Sequence, residues 1–599
     1  MTKRIALVNG KIFTAAGNAR PGHNHEHSDE TEVEALLIEG NRIIETGSTA
    51  RILEMIGGRQ TVPQTGNKIG RATGERKHAG TQAGEKTNRQ TTHIPVVDLQ
   101  GRTAIPGFVD SHNHVLSTAT LIEGVNCFGM RSIEELKQAV AEKAAKAEPG
   151  QWITGGGWIE SQFAERRMPT RHDLDEAAPD HPVCLSRLFG MSAVNSKALE
   201  AAGIGKGFIP EAGRVELDAS GEPTGIVREA AQGLITRAMD SEQQAPMQEE
   251  LERRIILALQ ELLKYGITSV LDPGVSGDLM RAYTSLWAKK TLPLRITAMP
   301  TWHGKSVISG DYVINPVLEA GLQPGLGDAW FRVGNLKMAI DGGLGAQTAM
   351  MHEPYRNWSR STLPARVDLN RLGSYIYQSH MAGWGAGIHC CGDLAQDIAV
   401  SHMVQAISAK KPLPHQRHHI IHGYFPTEYA LRSMSEHDIA ISLQPGFTYV
   451  EGDIYPDALD QQRLLEFKPA STYLSRGIRV AINTDVSSGP IDPFVAVYGA
   501  VARKTLAGLD FGQQEALTPR EAIHCFTQGG AYLAYRDTEC GTLAPGRYAD
   551  IAILDRDVLD GSPEELLGAK VVATVLDGKF VHLTKDAPKV PDEFISVQP

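Results

Sequence analysis

Short apolar runs recur through the middle of the chain, each closed by a polar or glycine-rich turn. Ile105 to Val109 stops at Asp110, and Ile267 to Leu271 stops at Asp272-Pro273-Gly274. Leu294 to Met299 follows, then Phe331 to Ile340, which ends at Asp341-Gly342-Gly343. Gly385 to Cys390 carries His389, and residues 417 to 422 read Arg-His-His-Ile-Ile-His. Ile439 to Leu443 and Ile478 to Asn483, the latter closed by Thr484-Asp485, bring the count to eight. Short apolar runs between turn residues read as buried strands. Helical periodicity lies between them: Leu251, Ile255, Leu259 and Leu262 share one face, and Gly266 suits the cap behind them. Thr518, Pro519 and Glu521 fit the N-cap, N1 and N3 positions of a later helix. Eight strands alternating with helices predict an α/β fold, a (β/α)₈ TIM barrel with its chemistry at the C-terminal strand ends.

The pattern changes on either side and once inside. Residues 4 to 14 and 35 to 46 read as short strands, with a turn at Glu39-Gly40-Asn41-Arg42. Val571 to Leu576, Asp577-Gly578 and Phe580 to His582 read as a hairpin. One small β domain made from 1–103 and 541–599 accounts for both ends, leaving 104–540 to the barrel. Residues 57 to 93 are rich in Gly, Thr, Gln and Lys. They offer too little apolar surface to offset ordering entropy, so a flexible insertion is expected there. A second insertion, 115–265, rises from the end of the first barrel strand, where lids and substrate walls are built. Its capping pattern at Ser132 to Glu135 predicts a helix to about Ala147.

Composition narrows the function classes. The chain has 599 residues, enough for about three or four units, with 42% apolar and 22% charged positions. A net charge of −11 with no Lys/Arg stripe gives nucleic-acid binding little support. No apolar run is long enough for a membrane span, and the N-terminus lacks the apolar core of a secretory signal. The six cysteines form no regular framework, which suits free thiols and a cytoplasmic setting. A small-molecule substrate is the expected partner, and a homodimer is left open.

His112 and His114 follow the first barrel strand two residues apart, so both imidazoles can face one point. Lys337, His389, His422 and Asp485 stand at later strand ends. Imidazole and carboxylate suit zinc, as one or two ions, other divalent metals being alternatives. A carboxylated Lys337 is an anionic oxygen ligand; the alternative is a rim lysine paired with Asp341. Strand alternation groups His418 with His422 and sets His419 apart, and His422 is favoured as nearer the strand's end. His23, His25 and His27 form a further His-rich tract, read as a metal site or as a solvated polar insert.

The runs Ile105-Pro-Gly-Phe-Val-Asp-Ser-His-Asn-His114, Asn195-Ser-Lys-Ala-Leu199, Pro223-Thr-Gly-Ile-Val-Arg-Glu229 and Lys337-Met-Ala-Ile-Asp-Gly342 occur in that order. His389 with Gly392-Asp393, His422, Asp485, Leu517-Thr-Pro-Arg-Glu521 and Pro545-Gly-Arg-Tyr-Ala-Asp550 follow. In this the chain resembles the amidohydrolase superfamily, in its YtcJ-like (amidohydrolase 3) branch, which includes N-substituted formamide deformylases. The resemblance implies a metal-dependent hydrolase with a composite β-sandwich beside the barrel and a one- or two-metal zinc centre. It departs at Met191, where many relatives carry His, and at Ile421, where they often carry Glu.

These readings predict a C–N hydrolase for a small neutral amide. Metal-activated water attacks, Asp485 is general acid/base, and His389 and His422 sit beside the reacting carbonyl. The candidate substrate contacts are Trp158, Met191, Glu229 and Asp341. Trp152, Trp158, Phe163, Leu188, Phe189 and Met191 form an apolar pocket wall or, alternatively, the insertion's own core. The alternative functions are a cyclic-imine deaminase and a non-catalytic metal-binding regulator.

Overall fold

The computed structural model describes residues 2–17, 31–57, 94–187, 190–211, 213–228, 231–242, 247–301, 318, 321–356, 368–486 and 488–596. The His23, His25 and His27 tract, residues 58–93, Leu188, Phe189 and the candidate substrate contact Glu229 lie outside the described residues.

Two parallel sheets occupy the centre. One has the order Phe331–Val333, Arg295–Pro300, Ile267–Val275, Phe108–Asp110. The other runs Leu336–Ala339, Ala386–Cys390, His419–His422, Ala440–Leu443, Val480–Ile482. A parallel bridge between Thr301 and Lys337 links the two. At the other end, the Thr484 N–H and hydroxyl donate to Asp110, at 3.1 and 2.5 Å. The His114 N–H donates to the Val486 carbonyl at 3.0 Å. These bonds tie the end of the last strand to the end of the first.

The expected single strand from 331 to 340 is two strands broken at Gly334-Asn335. There the Asn335 side chain donates to the Arg417 carbonyl and meets His419 Nδ1, while the Tyr535 hydroxyl donates to its amide oxygen. The run from 105 to 109 is also divided. Thr103–Pro106 pairs with Ile551–Leu554 and Lys11–Phe13, whereas Phe108–Asp110 pairs with Ile267–Val275. The crossing falls at Gly107, where a Cβ would lie 2.4 Å from the Thr268 side chain, so only glycine passes.

Both termini build the remaining sheets at this end. The order Lys579–Leu583, Val571–Leu576, Ile551–Leu554, Thr103–Pro106, Lys11–Phe13, Glu32–Val33 sets three C-terminal strands beside three N-terminal ones. Facing it lies the sheet Arg42–Gly47, Ala35–Glu39, Arg4–Val8, Val96–Asp98, and one apolar cluster including Ile5, Ile38, Ile553 and Val575 joins them.

The excursion after Val115 has a sheet of its own, ordered Arg214–Leu217, Pro223–Arg228, Met191–Val194, Val183–Arg187, Ile153–Trp158, Val125–Asn126. Ser132 caps the helix Ile133–Ala144 by accepting from the Glu135 N–H. Its buried Ile133, Leu136 and Val140 pack under the sheet. No described helix is long and apolar enough to cross a membrane.

Candidate metal centre

The C-terminal ends of the parallel strands bring five of the six expected ligands into two adjoining groups. His112, His114 and Asp485 place their ligand atoms within 4.8 Å of one another. His389, Cys391 and His422 do the same. The groups touch: the His112 and His422 rings are 5.9 Å apart and the His389 and His422 rings 4.3 Å. His112 and His114 approach Asp485 Oδ1 at 3.7 and 3.6 Å through Nε2. Asp485 is fixed from behind, its N–H donating to the His112 carbonyl at 2.9 Å.

Two of these side chains owe their direction to unusual backbone. His422 takes φ 79° and Asp485 φ 52°, a left-handed conformation that non-glycine residues adopt at some cost. At His422 this overturns the simple alternation. His418, expected on its face, points to the outer layer, where it stacks on His380 and meets its Nδ1 at 2.9 Å. His419 lies against Asn335 and Gly387. His422 is the last residue of its strand, where the positive φ turns it back, and Gln444 Oε1 holds its Nδ1 at 2.8 Å.

Lys337 is buried on its strand, and loss of hydration drives its ammonium below the usual lysine range, with the Asp485 carboxylate opposing the shift. Burial likewise pushes the Asp485 carboxyl up, opposed by Lys337 and Lys468. Burial, followed by the charge of Lys337, holds His112 well below the usual histidine range, so its imidazole is neutral. Asp341 accepts from the backbone N–H groups of Met350, Cys391 and Gly392 at 2.8–3.0 Å. It therefore fixes the turn behind His389.

The excursion's apolar candidates do not reach these groups. Trp158 is fully buried in the core of the excursion's own sheet, its indole N–H donating to the Leu185 carbonyl at 2.9 Å. Met191 and Phe163 share that core, and Trp152 belongs to a neighbouring cluster of the same excursion. Trp158 and Met191 are thus packed as core residues of the excursion, the alternative that the sequence left open beside a pocket wall.

Several polar groups beside the centre escape sequence reading. Lys468 is fully buried, donates to the Gln444 carbonyl at 2.6 Å, and lies over Tyr424 and Phe447 at 4.3 and 4.2 Å. Arg187 donates to both Glu160 oxygens at 2.8 and 3.1 Å and faces Glu451 at 3.7 Å. Their partners lie far away in sequence, so spacing carries no sign of them. Cys391 did leave a sign: His389-x-Cys391 repeats the spacing of His112-x-His114.

Residues 95–582 match the Amidohydrolase family. The chain is 30% identical over 503 residues to "Putative amidohydrolase YtcJ" of Bacillus subtilis (strain 168), covering 81% of this chain and 90% of that protein. It is 26% identical to the N-substituted formamide deformylase of Arthrobacter pascens, over 81% of this chain and 89% of that protein. In fold it is similar to the crystal structure of an uncharacterized metal-dependent hydrolase from Pyrococcus horikoshii OT3. The TM-score there is 0.67 at 23% identity, over 94% of this chain and 99% of that one.

Proposed function

The chain belongs to the amidohydrolase family, and from that premise we propose that it is a metal-dependent hydrolase cleaving the C–N bond of a small neutral amide. Formamides are included, as the likeness to a formamide deformylase suggests. The observation that carries the reading is the pair of adjoining buried ligand groups. The donors fit a zinc-class cation: imidazoles and a carboxylate converge, and His112 Nδ1 is buried without a hydrogen-bond partner among the described residues. His112, His114 and Asp485 would hold one ion, and His389 and His422 a second. Lys337 would join as a carbamate, since an amine losing its proton by burial is the form that reacts with carbon dioxide.

We read the two parallel sheets as one (β/α)₈ barrel. The Thr301–Lys337 bridge and the bonds from Thr484 to Asp110 support its closure. Segments 1–103 and 541–599 then form the composite sandwich, 104–540 the barrel, and 115–265 a lid over the strand ends. The six free, buried cysteines suit a cytoplasmic location.

A bound zinc ion lowers the pKa of water from about 15.7 towards about 7 and polarises a carbonyl oxygen. Asp485 takes the proton of the attacking water and returns it to the leaving nitrogen. Asp485 Oδ1 lies 3.7 and 3.6 Å from the His112 and His114 rings, which puts the carboxylate where such a transfer would take place. Gln444 keeps the His422 ring in one orientation through Nδ1, leaving the other nitrogen for the cluster. Arg187 is paired with both Glu160 oxygens and lies 3.7 Å from Glu451, which favours a neutral substrate over a carboxylate.

The test joins metal analysis to turnover. Purified protein is expected to hold about one or two zinc-class ions per chain, and Lys337→Ala to lower metal content and rate together. N-alkyl and N-aryl formamides should give higher kcat/KM than N-acyl amino acids or cyclic imines. Absence of stoichiometric metal, or a clear preference for either competing class, overturns the reading.

A further inference from the structure

We propose that Cys391 is a thiolate ligand of the His389/His422 position, giving that position two nitrogens and one sulfur. The inference rests on the reading that these strand ends bind metal, and it adds a donor outside the histidine, lysine and carboxylate set. Cys391 Sγ lies 3.5 Å from His389 Nε2, and both, with a His422 nitrogen, fall within 4.8 Å of one another. His389 lies on the strand Ala386–Cys390 and Cys391 one residue beyond it, where the turn brings the sulfur beside the His389 ring.

The sulfur is held where it stands. The Cys391 N–H donates to Asp341 Oδ1 at 3.0 Å, and the next N–H, from Gly392, to Asp341 Oδ2 at 2.8 Å. A Cβ on Gly392 would lie 1.9 Å from the Met350 carbonyl oxygen, so the turn has one path and glycine alone can follow it. The Tyr424 hydroxyl hydrogen-bonds the sulfur, while burial, followed by the Asp341 carboxylate, pushes the Cys391 thiol well above its usual range, so a bound cation and not the surroundings would have to draw off the proton. Cys390 is an internal contrast. Both sulfurs border apolar clusters, but Cys390 packs in the layer between the strands and their helices, and Cys391 alone of the two joins the His389/His422 group.

Coordination breaks the S–H bond, releases the proton to solvent and forms a metal–sulfur bond, with no change of oxidation state. A sulfur donor makes this position select zinc over magnesium or manganese, whereas the His112/His114/Asp485 position stays a nitrogen–oxygen site.

The experiment is zinc X-ray absorption on the full-length, zinc-loaded protein, with the optical spectrum of the cobalt form beside it. Wild type is expected to show a sulfur shell at about 2.3 Å and, with cobalt, a near-ultraviolet thiolate charge-transfer band. Both should survive in Cys390→Ala and vanish in Cys391→Ala, with metal affinity at that position reduced at least about tenfold. Bound zinc with only nitrogen and oxygen neighbours in wild type, or a sulfur shell that persists in Cys391→Ala, overturns the ligand and leaves the metal reading standing. Protein that takes up no metal overturns both. If Cys391→Ala does not fold, the wild-type and Cys390→Ala spectra decide alone.

Discussion

The parallel-strand ends and the sheet of the excursion treat their conspicuous side chains in opposite ways. At the strand ends His112, His389, His422 and Asp485 are buried, yet they face one another rather than an apolar layer. In the excursion Trp158, Phe163 and Met191 are buried just as deeply, and each is surrounded by aliphatic neighbours such as Ile153 and Leu185. Burial alone therefore does not mark a site. What separates the two regions is what the buried groups meet: polar groups kept in mutual reach at a hydration cost in one, apolar surface removed from water in the other. Substitutions at the strand ends should cost activity first, and substitutions in the excursion should cost stability first.

The sharpest break is Asp485→Asn. The amide keeps the shape and the backbone bond to the His112 carbonyl but cannot relay a proton. The expected outcome is a fall in kcat of at least about 10², with most of the metal and the melting temperature retained. Elemental analysis and a thermal melt on the same preparation check both halves. Near-normal kcat would remove Asp485 from the chemistry and with it the contrast.

The opposite case is Met191→His, which places an imidazole in the excursion at the position where the chain departs from the pattern it resembles. Met191 is buried among Ile153, Leu185 and Ala193, so an imidazole would lose hydration without gaining a partner. A loss of stability of about 1–3 kcal/mol is expected, with relative kcat/KM across an amide panel unchanged. A shift in substrate preference without loss of stability would return Met191 to the pocket wall.

What the sequence made legible follows the same division. The Ser132 cap and the Thr518–Glu521 capping box are set by near neighbours and stand where spacing put them, as do the strand runs apart from 105–109 and 331–340, each of which is divided. His112 and His114 were legible because two residues of spacing is a local fact. The direction of His422 was not, because a φ of 79° interrupts the alternation on which the reading relied. The apolar residues of the excursion looked like a pocket wall because a sequence does not say what covers a sheet. Lys468 and Arg187 were illegible for a third reason: their partners Gln444, Glu160 and Glu451 come from separate elements, and only the fold brings them together.

Lys468 allows a finer probe of the strand-end side. Burial lowers its pKa to about 7, while the charges of Cys391, Glu451 and Asp485 pull the other way. An unfolded chain returns the amine to the ordinary lysine value of 10.5. Between those two values the unfolded state carries the extra proton. The buried amine therefore opposes folding fully below about pH 7, and that penalty fades as pH rises towards 10.5. Lys468→Met removes the titration and keeps the length of the side chain against Tyr424 and Phe447. The stability of wild type relative to the variant is then expected to climb with pH from 7 upward, by on the order of 1 kcal/mol per pH unit at the steepest. Paired denaturant melts at pH 7, 8 and 9 measure that difference. A constant gap would mean that Lys468 keeps its proton throughout. The amine would then act as a fixed cation beside the metal centre, and its bond to the Gln444 carbonyl would be that of a permanently charged donor.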